Sequence, residues 1–190
     1  MQCSGSTPSP AGSAPVRILL WVVGEDHPKA CTGRRLVRRG LVEPMAPLGP
    51  TVRALLLDPH SEVPLSPADA PEVARSALAA VDCSWRKIGV RGRYPPGPYD
   101  SIPRDHRRRL PWLLAGNPQH FGRLGELNTA EALAAAVIVL GEPGFGRALL
   151  DGSSEGGSFL DLNRERLAAY ASAADADAVR RAERRLFGGR

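Results

Sequence analysis

Residues 77–85 read ALAAVDCSW: an apolar run stops at a carboxylate, and the largest apolar side chain available stands three residues further on. Ala77 to Val81 is read as an apolar strand, and two earlier stretches share its character. VRILLWVV at 16–23 is a strand buried on both faces, as in a parallel sheet, and VRALLL at 52–57 is another that ends at Asp58-Pro59. Between them, Thr32 is placed to cap a short helix that closes near Gly40, and residues 67–74 offer a second helix with proline tolerated in its first turn. Strand and helix alternating through residue 85 predict an α/β lobe built on a parallel sheet. Such sheets bind ligands outside the carboxyl ends of their strands, and Asp82 to Trp85 falls at one of those ends.

The rest of the chain is read outward from this centre. Residues 1–15 are rich in Ser, Pro and Gly and too poor in apolar side chains to offset the entropy of ordering, which predicts a disordered tail. Residues 86–109 carry eight Lys or Arg against two Asp, with two tyrosines and four prolines, and are read as a basic loop that completes the lobe at 16–109. From residue 110 the pattern turns helical, with segments expected at 111–115, 129–140, 145–150, 162–172 and 175–187. TAEALAAAVIVL, from Thr129, is apolar nearly all round and is therefore expected to be buried, and Asn128 with Glu131 fits a capping box. The helical segments are read as a second lobe at 110–190, with a ligand cleft between the two.

A chain of 190 residues, 43% hydrophobic, can bury a core without staples. Its three cysteines, Cys3, Cys31 and Cys83, have no CxxC spacing, which argues against a disulfide framework or a zinc site and for reduced thiols. No apolar run reaches the length of about 18 residues that suggests a membrane span, and the N-terminus lacks the apolar core of a secretory leader. The expected location is the cytoplasm. A net charge of +5, carried mainly by arginine, favours a partner bearing phosphates.

No Walker loop, GxGxxG, HExxH, GxSxG or His/Cys cluster is present, so no metal is expected. Five other segments carry a signal together. HPKACTGRRLVRRGLV (27–42), VDCSW (81–85), RLPWLLAGNPQHFGR (109–123), LNTAEALAAA (127–136) and FLDLNRERLAAY (159–170) are, in content and order, similar to the ribosomal-RNA aminocarboxypropyltransferases of archaea and eukaryotes. The resemblance covers roughly residues 16–185, with departures at His27, Phe121, Leu124 and Glu155. It implies an α/β, knotted, SPOUT-like lobe followed by a helical one. It also implies transfer of the 3-amino-3-carboxypropyl chain of S-adenosylmethionine (SAM) to N3 of an N1-methylpseudouridine in small-subunit rRNA. 5′-Methylthioadenosine is then the by-product, and ribosome maturation the process; a monomer is expected.

Transferring that chain instead of the methyl group is a matter of which of three electrophilic carbons the site presents in line to the nucleophile. Trp85 suits the task, because its face attracts a sulfonium as it does any cation and its bulk can cover the methyl. Asp82 suits orientation of the acceptor imide or removal of its proton. Core packing for Trp85 and a cap or turn role for Asp82 remain open beside these readings. By resemblance, Thr32 holds the methionine carboxylate, and Leu57, Pro59, Val81, Leu110, Leu127, Ala132 and Ala136 line the adenosine pocket. Gly125 and Thr129 make backbone or hydroxyl contacts. Arg34, Arg35, Arg38 and Arg39, with Arg91, Arg93, Arg107, Arg108 and Arg109 of the basic loop, then anchor RNA phosphates.

Overall fold

The computed structural model describes residues 16–23, 31–46, 52–83, 102–152 and 156–188. Among them five strands form one sheet in the order β2-β1-β4-β3-β5, and every pairing is parallel. The strands are β1 (Ile18–Val22), β2 (Glu43–Pro44), β3 (Leu55–Leu57), β4 (Leu78–Asp82) and β5 (Arg107–Arg108). Helix α1 (Thr32–Arg38) lies between β1 and β2, and α2 (Ala70–Arg75), opened by a 3-10 turn at Pro67–Asp69, lies between β3 and β4. After β5 come α3 (Thr129–Val139), α4 (Pro143–Leu150), α5 (Gly156–Leu162), α6 (Arg164–Ala171) and α7 (Ala176–Phe187).

Side chains alternate across a strand, so each strand serves both faces of the sheet. Ile18, Leu20, Leu55, Leu78 and Ala80 enter the larger core cluster, whereas Ala54, Leu56, Ala77 and Ala79 enter a smaller one on the other side, joined by Leu19, Trp21 and Val81. The larger cluster also takes in α3 from Ala130 to Val139, with Phe159, Leu167, Tyr170 and Val179 from the later helices. Sheet and C-terminal helices therefore share one continuous core.

Helix α3 is buried on almost every side, as its composition predicts, and the Asn128–Glu131 capping box is present. Helix α4 approaches it closely at Gly146, where a Cβ would stand 2.5 Å from Ile138 Cγ1 and 3.0 Å from the Ala134 carbonyl oxygen. In α7, Asp175 caps the first turn by accepting from Ala178 N at 2.8 Å, and Gly188 ends the helix in the left-handed region at φ 65°.

Four expectations require correction. Residues 111–115 form no helix, because their backbone groups find other partners. Trp112 N donates to Glu183, Leu114 N donates to Asn163 Oδ1, and Ala115 N donates to the Arg123 carbonyl. The helix expected at 162–172 is α6 alone, and a helix not expected, α5, precedes it; the two meet at Asn163, whose fully buried amide bonds both the N–H and the C=O of Leu114. The cap of α1 is Cys31 and not Thr32, which is the first helical residue. The last residues of the basic loop are strand β5, whose register pairs Leu56 with Arg107 and Leu57 with Arg108.

Candidate active site

The strand order puts β1 beside β4, while the chain leaves β1 toward one edge of the sheet and returns through β3 on the other side. That is a topological switch point, where the carboxyl ends of neighbouring strands open a crevice. Asp82 ends β4 there, opposite Val22 of β1, and its carbonyl accepts from Val23 N at 3.1 Å. Parity along the strand turns the Asp82 side chain toward the face that carries α1 and α3, and turns Val81 to the opposite face.

Three donors from two helix starts converge on that carboxylate. Asp82 Oδ2 accepts from Gly33 N at 3.1 Å and from the Cys31 thiol at 3.1 Å, and Oδ1 accepts from the Thr129 hydroxyl at 2.5 Å. Asp82 thus ties the first turn of α1 and the first turn of α3 to the end of β4. Gly33 makes the approach possible, since a Cβ there would lie 2.2 Å from Asp82 Oδ2. Burial pushes the Cys31 thiol above its ordinary pKa, and the hydrogen bond to Asp82 adds to the shift while the Arg34 amide opposes it. The thiol is therefore held in the protonated form that can donate. A carboxylate offers about four lone-pair directions. Among the described residues three are occupied, and the fourth lies on Oδ1.

The apolar candidates divide by position. Leu57, Leu110 and Ala132 are partly exposed at the edge of the larger core cluster, and Leu127 and Ala136 are buried within it. Pro59 lies in an exposed turn after β3, and Gly125 holds φ 76°, in the region that favours glycine. Val81 packs on the other side of the sheet from the rest. Thr32 is half-buried at the start of α1. Trp85, Arg91 and Arg93 lie outside the described residues.

A family model described as "Ribosome biogenesis protein, C-terminal" matches residues 55–187, from β3 to the end of α7. An 18S rRNA aminocarboxypropyltransferase of Schizosaccharomyces pombe is 35% identical over 177 residues, 93% of this chain and 59% of that protein. A 16S rRNA aminocarboxypropyltransferase of Methanosarcina acetivorans is 38% identical over 172 residues, 90% of this chain and 94% of that one. The chain belongs to the rRNA aminocarboxypropyltransferase family. A solved SAM-dependent rRNA:acp-transferase from Vulcanisaeta distributa superposes with a TM-score of 0.76 at 30% identity, covering 92% of this chain and 90% of the other.

Within this family member the arginines separate into two groups. Arg34, Arg38 and Arg39 are exposed on or just after α1, Arg35 is half-buried, and Arg39 donates to the Asp151 carbonyl. Arg107, Arg108 and Arg109, expected as phosphate anchors, pair instead with carboxylates and carbonyls of the fold itself. Arg107 bonds the Ile102 carbonyl at 2.6 Å and lies 3.6 Å from Asp58. Arg108 Nε bonds Asp69 at 2.9 Å, and Arg109 forms a two-point pair with Glu183 at 2.6 and 2.8 Å. Their acidic partners are 5%, 8% and 4% exposed, so these guanidiniums neutralise buried carboxylates.

Cys31 and Gly33 fall in a stretch, residues 29–33, that the sequence offers as a candidate, but neither was given a role of its own. A glycine at the second position of a helix, where it weakens the helix, was the signal that something approaches the backbone there. No group of His, Cys, Asp or Glu suited to a metal ion occurs among the described residues.

Proposed function

We propose that this chain transfers the 3-amino-3-carboxypropyl group of SAM to N3 of an N1-methylpseudouridine in small-subunit rRNA, releasing 5′-methylthioadenosine in the course of ribosome maturation. The observation that carries this reading is Asp82: a carboxylate at the switch point of a parallel sheet, clamped between two helix starts, where the described residues place two donors on Oδ2 and one on Oδ1. The activity named for the relatives and for the Vulcanisaeta enzyme supports it. The same reading takes the fold as SPOUT-like and knotted, and the protein as a cytoplasmic monomer that works on the small-subunit particle.

The acceptor N3 carries a proton until it forms its new bond. Asp82 Oδ1 accepts that N–H, which orients the base, and receives the proton as N3 bonds to the side-chain methylene of SAM. The carbon–sulfur bond breaks with its electron pair going to sulfur, so the cationic sulfonium leaves as a neutral thioether. The partly exposed Leu57, Leu110 and Ala132 offer an apolar edge for the adenosine next to this polar centre. Thr32, at the start of α1, is assigned to the methionine carboxylate. Trp85, three residues beyond Asp82, is assigned to the sulfonium, an attraction of roughly 0.5–2 kcal/mol. Arg34, Arg35, Arg38 and Arg39 are assigned to rRNA phosphates.

The test is product analysis with SAM and small-subunit rRNA taken from cells that lack this protein. Methylthioadenosine and an aminocarboxypropyl mass increment on the rRNA are expected. S-Adenosylhomocysteine with a methyl increment would replace the reading by ordinary methylation, and no SAM binding in calorimetry would replace it by an rRNA-binding assembly factor. Trp85→Ala is expected to weaken SAM binding, and Asp82→Ala to lower transfer more than binding.

A further inference from the structure

Glu131 is 1% exposed, and among the described residues its carboxylate meets only neutral N–H groups. Oε1 accepts from Gly116 N at 2.9 Å, and Oε2 accepts from Asn117 Nδ2 at 2.8 Å and from Asn128 N at 2.9 Å. Burying a charge without a counter-ion is expensive unless hydrogen bonds replace its water. The bond to Asn128 N alone completes the capping box, a task that glutamine performs as well. The other two bonds reach residues at the far end of the loop that ends at Asn128, and the one from Gly116 N needs a second acceptor oxygen, because Asn117 shares Oε2 with Asn128.

Both ends of the 116–128 loop are therefore fastened to one carboxylate. Gly116 comes within reach only because it is glycine: a Cβ there would stand 2.6 Å from Phe159 Cα. Inside the loop, Asn117 also donates to the Glu126 carbonyl at 3.2 Å and accepts from His120 N at 3.1 Å. Gly122 N and Gly125 N donate to the Ala115 and Leu113 carbonyls, each at 2.8 Å. This loop carries Gly125 and Leu127 and runs straight into Thr129, whose hydroxyl holds Asp82.

We propose that Glu131 is a positioning residue for SAM: it fixes the 116–128 loop so that the cofactor-lining groups are preformed. The proposal rests on the reading of Asp82 and its surroundings as the SAM site. A preformed site binds more tightly because the ordering is already done before the ligand arrives. In Glu131→Gln one acceptor becomes an amide facing donor groups. The expected result is a rise of about tenfold in the dissociation constant and KM for SAM, with kcat held within about twofold. A role confined to stability would lower the melting temperature and leave the affinity of the folded protein unchanged.

Asn117→Ala removes one donor without touching α3 and decides the matter if Glu131→Gln fails to fold. It is expected to weaken SAM binding in the same direction, and the double variant is expected to lose less than the two single losses combined. Calorimetric SAM affinity within about twofold of wild type for the folded variants would overturn the proposal, as would a fall in kcat at unchanged KM. A wild-type protein that makes no methylthioadenosine would instead defeat the functional reading, a separate failure visible without any variant.

Discussion

At the scale of single residues the site depends on how closely Asp82 approaches the start of α1. Alanine in place of glycine within a helix is ordinarily stabilising by about 1 kcal/mol. At Gly33 the sign is expected to reverse, because the added methyl would meet the Asp82 carboxylate at 2.2 Å and both groups are held by their backbones. Gly33→Ala should cost about 1–3 kcal/mol in denaturant unfolding and lower transfer together with stability. Cys31 makes a pH prediction. Its folded pKa is raised by burial above the ordinary 9.0, so the stability it contributes is complete below that value and is lost as pH rises through the folded one. Melting temperatures followed upward from about pH 7 should therefore fall more steeply above about pH 9 for the wild type than for Cys31→Ser, whose hydroxyl does not ionise there. Parallel curves would remove the thiol from this account.

At the scale of elements, the pairing of Arg109 with Glu183 fastens the segment after β5 to α7, and Glu183 also accepts from Trp112 N at 3.0 Å. Arg109→Met leaves a carboxylate that is 4% exposed without its cation, which should destabilise by about 3–5 kcal/mol. The double variant Arg109→Met/Glu183→Leu should recover much of that loss, and neither change should weaken rRNA binding per folded molecule. A specific loss of rRNA affinity in Arg109→Met would return that guanidinium to the RNA-facing set. Element by element, the apolar strands and α3 were legible because their side chains repeat the period of the structure. Strands β2 and β5 were not: Glu43-Pro44 and Arg107-Arg108 are two residues each, with no apolar side chain to betray the pairing. The break at Asn163 was equally hidden, since it exists to satisfy Leu114, 49 residues away in sequence.

At the scale of the molecule, α3 lies in the same core cluster as β1, β3 and β4. One core implies one cooperative transition, so calorimetric and van't Hoff enthalpies of unfolding should agree, and fragments cut between residues 109 and 110 should not fold separately. Two resolved transitions would show that sheet and helices unfold separately. The amino-acid sequence by itself determined the parallel α/β order, the buried α3 with its capping box, and Asp82 as the polar end of a core strand. These follow from hydrophobic period and local hydrogen bonding, which act between neighbours along the chain. Only the tertiary structure decided which arginines face inward, that Cys31, Gly33 and Thr129 all bond to Asp82, and that Glu131 fastens a loop as well as capping a helix. A side chain's partner across the fold depends on where the backbone brings distant segments together, and no local pattern carries that distance.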